Sequence, residues 1–342
     1  MRETLISLTS LFLAVLLMML GNGLLGSLLG LKLAQAGASP LAAGVVMAGY
    51  YLGLVIGAFV CQGIVRRVGH IRAFAAFGAI NVATVMLLAL TTATPVWVAL
   101  RIITGITMMG LYMVVESWFN ERAERRVRGR VFSLYMAVSF AGLGGGQFLL
   151  AMNDIASLDL FLVAGMLFSL CLVPVALTRA VHPQPVEATR FDIRHLFQLA
   201  PYAVIACSCA GLVNGAFYAL GPVYAYATLS GAAGTGAFMG VTIIGGLLLQ
   251  WPVGLLSDRF DRRTIMALLS IAVAVLSLLL LLLESALFWQ LVIALLWGGL
   301  AFTVYPVAVA YANDHIEPQD IMPAAGALLL SYGIGAAMGP LL

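Results

Sequence analysis

Apolar runs of about 20 residues, each broken by charges or by Pro/Gly/Thr clusters, recur from one end of the chain to the other. That is the length a helix needs to cross the hydrocarbon core of a bilayer. The pattern predicts eleven spanning helices at roughly 8–31, 41–65, 73–92, 95–118, 131–152, 157–179, 199–225, 234–256, 264–284, 286–311 and 322–342. The first run is longer than a signal-peptide core, so it reads as a retained helix although Ala34-Gln35-Ala36 resembles a cleavage site.

A repeat underlies the pattern. Asn22-Gly23 returns as Asn214-Gly215, an offset of 192 positions (214 − 22). The same offset pairs Met47 with Met239, Gly53 with Gly245, Arg67 with Arg259, Trp97 with Trp289, and Ser139-Phe140 with Ser331-Tyr332. Helices one to five therefore map onto seven to eleven, and the partner of helix six would lie beyond residue 342. The expectation is a twelve-helix protein with its last helix missing from this chain. The expected organisation is an N-terminal half at 1–180, a cytoplasmic linker at 181–198 and a C-terminal half at 199–342. Repeated helical halves are the usual architecture of secondary transporters, with the substrate site between the repeats.

Composition agrees with a bilayer as the main solvent. Hydrophobic residues make up 63% of the chain and charged residues 9%, with mean hydropathy +1.07. A soluble domain carries about a quarter charged residues. Fifteen of the 17 basic residues fall in alternate loops or at the N-terminus, on one side of the membrane, which puts the N-terminus in the cytoplasm. The basic stretch at 121–130 either enforces this topology or attracts anionic lipid. Sixteen arginines beside the single Lys32 suit a GC-rich bacterial genome and hence a bacterial inner membrane. Cys61, Cys171, Cys207 and Cys209 all lie in apolar runs, as buried thiols do. His70, His182, His195 and His315 read as loop residues. No metal or cofactor site is expected, and no nucleic-acid partner.

The segment Gly254-Leu255-Leu256-Ser257-Asp258-Arg259-Phe260-Asp261-Arg262-Arg263 joins helices eight and nine. It resembles the loop signature of the major facilitator superfamily, G-x-L-x-D-R-x-G-R-R/K, departing mainly at Asp261. Arg101-Ile102-Ile103-Thr104-Gly105 resembles that family's R-x-x-x-G segment in helix four, associated with proton coupling in many exporters. The resemblance implies an all-α membrane protein of two pseudo-symmetric six-helix halves that works by alternating access. It assigns Asp258, Arg259 and Arg263 to gating, with Arg67 as the first-half counterpart of Arg259. There Arg66 stands where the carboxylate belongs, so a different interaction must serve as the latch. Helix five carries Gly142, Gly144, Gly145 and Gly146 but lacks the Gly-Pro pair of the family's antiporter signature.

Helical spacing places Arg101, Gly105, Met108, Tyr112 and Glu116 on one stripe. Arg101 and Glu116 lie about 22 Å apart along the axis, too far to pair. An intramembrane arginine is a functional candidate by default, against the alternative of a snorkelling side chain. Glu116 reads either as a proton carrier or as an interfacial group bonded to the arginines of 121–130. Asn22 and Asn214 read either as substrate contacts or as glue between helices. Tyr218 shares the face of Asn214, and Tyr112, Trp297 and Tyr305 are further candidates for substrate contact, with Tyr50 weaker.

The leading expectation is a monomeric, proton-coupled exporter of a small molecule in the bilayer. Uptake by proton symport comes second. A membrane receptor or scaffold without transport would share the hydropathy but not the Asp258 loop or Arg101. An intramembrane enzyme would need a buried Asp pair, a Ser/His pair or a zinc motif, and the spans contain none.

Overall fold

The structure, a computed structural model, describes residues 2–122, 128–177, 193–229, 231–282, 287–317 and 321–342. The chain forms two compact units, Met1–Ala188 and Thr189–Leu342. Residues 123–127 of the basic stretch and most of the expected linker lie outside the described residues.

Unit 1 is built from α1 (Arg2–Gln35), α2 (Pro40–Val68), α3 (His70–Leu90), α4 (Thr94–Arg122), α5 (Arg128–Phe148), α6 (Asp159–Leu170) and α7 (Leu172–Ala176). Unit 2 is built from α8 (Ile193–Leu199), α9 (Pro201–Thr228), α10 (Gly231–Arg259), α11 (Arg262–Leu282), α12 (Leu287–Ala301), α13 (Val304–Asn313) and α14 (Ile321–Met338). Among the described residues, eleven helical stretches are long and apolar enough to cross a membrane, matching the eleven expected from sequence. Helices overrun the apolar runs at several ends. α2 starts at Pro40, with Ser39 Oγ accepting from the Ala42 N–H at 3.2 Å as an N-cap. α4 continues to Arg122, past the apolar run that ends near Trp118.

Two spans are broken, each four residues before a proline. Proline lacks an N–H, and its ring collides with the carbonyl four residues back. Pro174 thus ends α6 at Leu170, and Pro306 interrupts the tenth span at Phe302–Thr303, between α12 and α13.

Within each unit the tightest helix pairs meet at small residues. Between α2 and α4, a Cβ on Gly53 would stand 2.8 Å from the Gly105 Cα, so the two backbones touch only because neither residue has a side chain. Gly245, the repeat counterpart of Gly53, holds the same place between α10 and α12, where a Cβ would stand 2.8 Å from the Leu295 carbonyl carbon. In lipid the tails are as apolar as leucine, so close backbone approach of this kind drives helices together. Gly142 and Gly146 of the glycine cluster pack against α1 in the same way.

Polar side chains supply additional links. Gln147 on α5 donates from Nε2 to the Gly23 carbonyl at 3.0 Å and accepts from the Ser27 hydroxyl. Thr107 on α4 donates to Asn81 Oδ1 on α3 at 3.2 Å. α11 presents Leu268, Ile271, Val275, Leu278 and Leu282 outward, an exposed apolar stripe at helical spacing that suits lipid.

Substituting Gly53 by Val should reduce the folded, monodisperse yield in detergent several-fold, since overpacking costs about 1–3 kcal/mol where nothing can yield. Gly26→Ala is the control: a Cβ there meets nothing within 4 Å. Size-exclusion profiles and thermal melts of the two variants measure the difference.

Candidate functional site

Arg101 lies about two turns into α4, within its apolar run. It is 3% exposed, and its guanidinium carbon sits 4.5 Å from the centroid of the Tyr50 ring of α2. Tyr50 hydrogen-bonds with Tyr112 of α4 and with Asn22 of α1. Four residues from three helices thus converge: Asn22, Tyr50, Arg101 and Tyr112. The buried Arg101 Nε has no hydrogen-bond partner. A cation over a desolvated ring gains about 2 kcal/mol, whereas an unsatisfied buried donor costs about 1–3 kcal/mol. The side chain is therefore held in place with binding capacity to spare.

Glu116 lies farther along α4, near its C-terminal end. Tyr135 of α5 donates its hydroxyl to Glu116 Oε1 at 3.3 Å. The carboxylate lines a hollow of about 160 Å³ together with Gln62, Val65, Arg66, His70, Met113, Ser117 and Asn120. Of the arginines of 121–130, the alternative partners considered for Glu116, Arg130 is exposed and the side chains of Arg122, Arg125, Arg126 and Arg128 lie outside the described ones. His70 corrects the sequence reading that put it in a loop. It opens α3, is 3% exposed, and its Nε2 lies 3.0 Å from Ser117 Oγ. Gly69, at φ 84°, makes the preceding turn tight enough for α3 to begin at once.

In unit 2, the repeat counterparts are wired differently. Asn214 is buried and donates from Nδ2 to the Tyr332 hydroxyl of α14 at 3.2 Å, while its Oδ1 has no partner. The first-repeat equivalent of Tyr332 is Phe140, which has no hydroxyl to offer Asn22. Tyr305 meets the Tyr332 ring edge-on at 5.1 Å. Tyr218 stacks on Phe302 at 5.7 Å with 8° between planes. Trp297 is buried against Phe217 and donates from Nε1 to Ser277 Oγ at 2.8 Å. Asn214, Tyr332 and Tyr305 thus form one polar-aromatic group, and Trp297, Phe217, Phe302 and Tyr218 a second, aromatic one.

The loop between α10 and α11 organises a third cluster. Arg262 pairs with Asp258 at 3.0 Å and with Asp314 at 2.7 Å, and also donates to Ser257 Oγ at 3.1 Å. The bridging arginine is therefore Arg262, where the sequence reading chose Arg259 and Arg263. The signal was present in the i,i+4 spacing of Asp258 and Arg262, but the distant Asp314 gives none. Arg263 lies over the Tyr202 ring at 3.8 Å, and Arg259 is exposed, as is Arg67 in the first repeat. Asp258 and Arg262 line a hollow of about 150 Å³ with Gln250, Gly254, Ser257, Thr303 and Pro306 among its walls.

Asp261 departs from the signature for a local reason. It caps α11, its Oδ2 accepting from the Thr264 N–H at 3.0 Å and from the Thr264 hydroxyl at 2.9 Å. These bonds, with the nearby Arg263 charge, hold the carboxyl below the usual aspartate range.

The sequence profile of the Major Facilitator Superfamily matches residues 11–340. YcaD, an uncharacterized MFS-type transporter of Escherichia coli, is 31% identical over 331 residues, spanning 95% of this chain and 85% of its own. The crystal structure of the nucleoside transporter NupG superposes with a TM-score of 0.78 at 14% identity, covering 100% of this chain and 90% of that one. A bacterial homolog of the human lysosomal transporter Spinster, in an inward-facing conformation, gives 0.78 at 13% identity over 99% of this chain and 81% of its own. At such identities the likeness speaks for the fold.

The Asp261 cap gives a pH test with a definite sign. A carboxyl whose ionised form is favoured by folding contributes its full stability above the unfolded aspartate value of about 3.9, and loses it as pH falls through the folded value. The melting-temperature gap between wild type and Asp261→Ala should be constant from pH 5 to 8 and close below about pH 4. Thermal melts across that range measure it.

Proposed function

This chain belongs to the major facilitator superfamily, and we propose that it is a proton-coupled exporter of a small molecule. It works by alternating access in a bacterial inner membrane, with its N-terminus in the cytoplasm, as the arginine bias supports. The observation that carries the reading is Arg101. A buried guanidinium within a spanning helix, stacked on Tyr50 and with one N–H unpartnered, is costly for a residue without a task.

The proposed division of labour follows the clusters. Arg101 and Glu116, on one helix, serve proton coupling. Asn22 with Tyr112 in the first repeat, and Asn214 with Tyr218, Tyr305 and Trp297 in the second, offer amide, hydroxyl and aromatic faces to substrate. Asp258 and Arg262, with Asp314, form the latch of the second repeat, where Arg259 and Arg263 add charge, and Arg67 is the first-repeat counterpart of Arg259. The unpartnered Asn214 Oδ1 supports this reading, since a buried acceptor left open is suited to a donor on a ligand. No cofactor takes part in this scheme, and the coupling ion is the proton.

Transport is tested with the chain reconstituted in vesicles under an imposed proton gradient, against a panel of small molecules that includes drugs and metabolites. Extrusion driven by inward proton flow supports the proposal, whereas uptake driven by the same flow replaces it with symport. Arg101→Ala and Asp258→Asn should each lower the rate at least tenfold while membrane insertion stays normal. Glu116→Gln should change the pH dependence of transport; wild-type rates in either of the first two variants, or an unchanged pH profile in the third, remove that residue from the mechanism.

A further inference from the structure

The two repeats carry the same hollow with different chemistry. In unit 2 it is walled by Gly254, Ser257, Asp258 and Arg262. Moving back by the repeat offset gives Gln62, Val65, Arg66 and His70, and these four wall the hollow of unit 1. The volumes, about 150 and about 160 Å³, are nearly equal. The cavity has been retained through the divergence of the repeats while its charges were exchanged. Arg66 replaces the acid Asp258, and His70 replaces the bridging Arg262. A carboxylate is still present, but it comes from α4: Glu116 lines the unit 1 hollow where the repeat equivalent is Ala308.

The exchange of Arg262 for His70 changes what the site responds to. A guanidinium stays charged at every accessible pH, whereas imidazole changes charge near neutrality. We propose that the unit 1 hollow is a proton-binding site, with His70 as the group that takes the proton and Glu116 and Arg66 as the opposed charges that set its occupancy.

The surroundings of His70 are suited to this role. The ring stacks on Trp118 at 6.3 Å with 29° between planes, and Ser117 Oγ meets Nε2 at 3.0 Å. Serine can donate or accept, so that contact survives either charge state of the ring. An imidazolium this deeply buried needs a counter-charge, and Glu116, oriented by Tyr135, supplies one on the same cavity wall. Among the described residues, the ionisable groups lining the site besides His70 are Arg66 from α2 and Glu116 from α4, with Arg72 two residues along α3 itself. α6 runs antiparallel to α3, since Gly78 lies against Leu172 and Gly165 against Met86. Asp159, in the first turn of α6, therefore stands at the far end of the unit.

Protonated His70 beside Glu116 would reproduce in unit 1 the ion pair that Arg262 holds permanently in unit 2. The first repeat would then latch only when protonated. That consequence rests on the transport reading, but the site itself does not.

The test needs no substrate. An imidazolium quenches an indole stacked on it, so the tryptophan emission of the purified full chain is titrated from pH 5 to 8.5. A single step within that range is expected in the wild type. It should vanish in His70→Gln and in Trp118→Phe. Glu116→Gln and Arg66→Gln should move the midpoint in opposite directions by about half a pH unit or more, and Arg66→Lys, which keeps the charge, should leave it in place. A flat wild-type titration, a step that survives His70→Gln, or a midpoint indifferent to both charge removals overturns the proposal. If Trp118→Phe does not fold, the His70→Gln comparison decides alone. A clear titration in a chain that moves no substrate keeps the proton site and defeats the transport reading. Transport beside a flat titration does the reverse.

Discussion

Everything in this chain follows from a solvent that forms no hydrogen bonds. In the bilayer core each backbone N–H and C=O must be satisfied within its own segment, which leaves the helix as the form for an isolated run of apolar residues. The described spans obey that rule, and two of them are interrupted four residues before a proline, at Leu170 and at Phe302–Thr303, although Pro222 and Pro252 sit within unbroken helices. Once the backbone is satisfied internally, the helices have little hydrophobic reason to associate. Their association therefore rests on contact distance, and glycine takes the places where contact must be closest, as between Gly53 and Gly105 and at Gly245.

The same solvent makes each polar side chain inside a span informative. Several are spent on holding helices together, as Gln147 holds α5 to α1 and Asn81 links α3 with α4. Arg101 and Asn214 differ, because each keeps an atom without a partner after its visible bonds are made. The repeat separates these roles. The glycines shared by both halves, Gly53 and Gly245, are packing. The positions that diverge carry the distinctive chemistry: Arg101 against Ile293, Glu116 against Ala308, and His70 against Arg262.

The spans and the repeat were legible in the sequence because the bilayer imposes a length threshold and duplication leaves a fixed offset. The helix ends were less so, since Arg66, Arg67 and Asn120 are polar yet remain helical beyond the apolar core. His70 was misread for the same reason. A histidine directly after a glycine looks like loop, but a single φ of 84° at Gly69 completes the turn and the next residue already begins α3. The Arg101–Tyr50 stacking and the Arg262–Asp314 pair join different helices, and no periodicity within one helix reports on them. Asp258 and Arg262 could have been paired from spacing alone, but the family signature drew attention to the flanking arginines instead.

The break ahead of Pro306 also has a mechanical side. From Thr303 to Asp314, α13 is a lever of about 16 Å at 1.5 Å per residue. Its base lies in a helix that has already lost its regular bonding, and its tip is tied to Arg262. A bend of about 10° at the base displaces a tip at that radius by roughly 3 Å. That exceeds the 2.7 Å span of the ion pair. A small angular change at one proline is thus enough to engage or release a charge three helical turns away, with no rearrangement of the helices between.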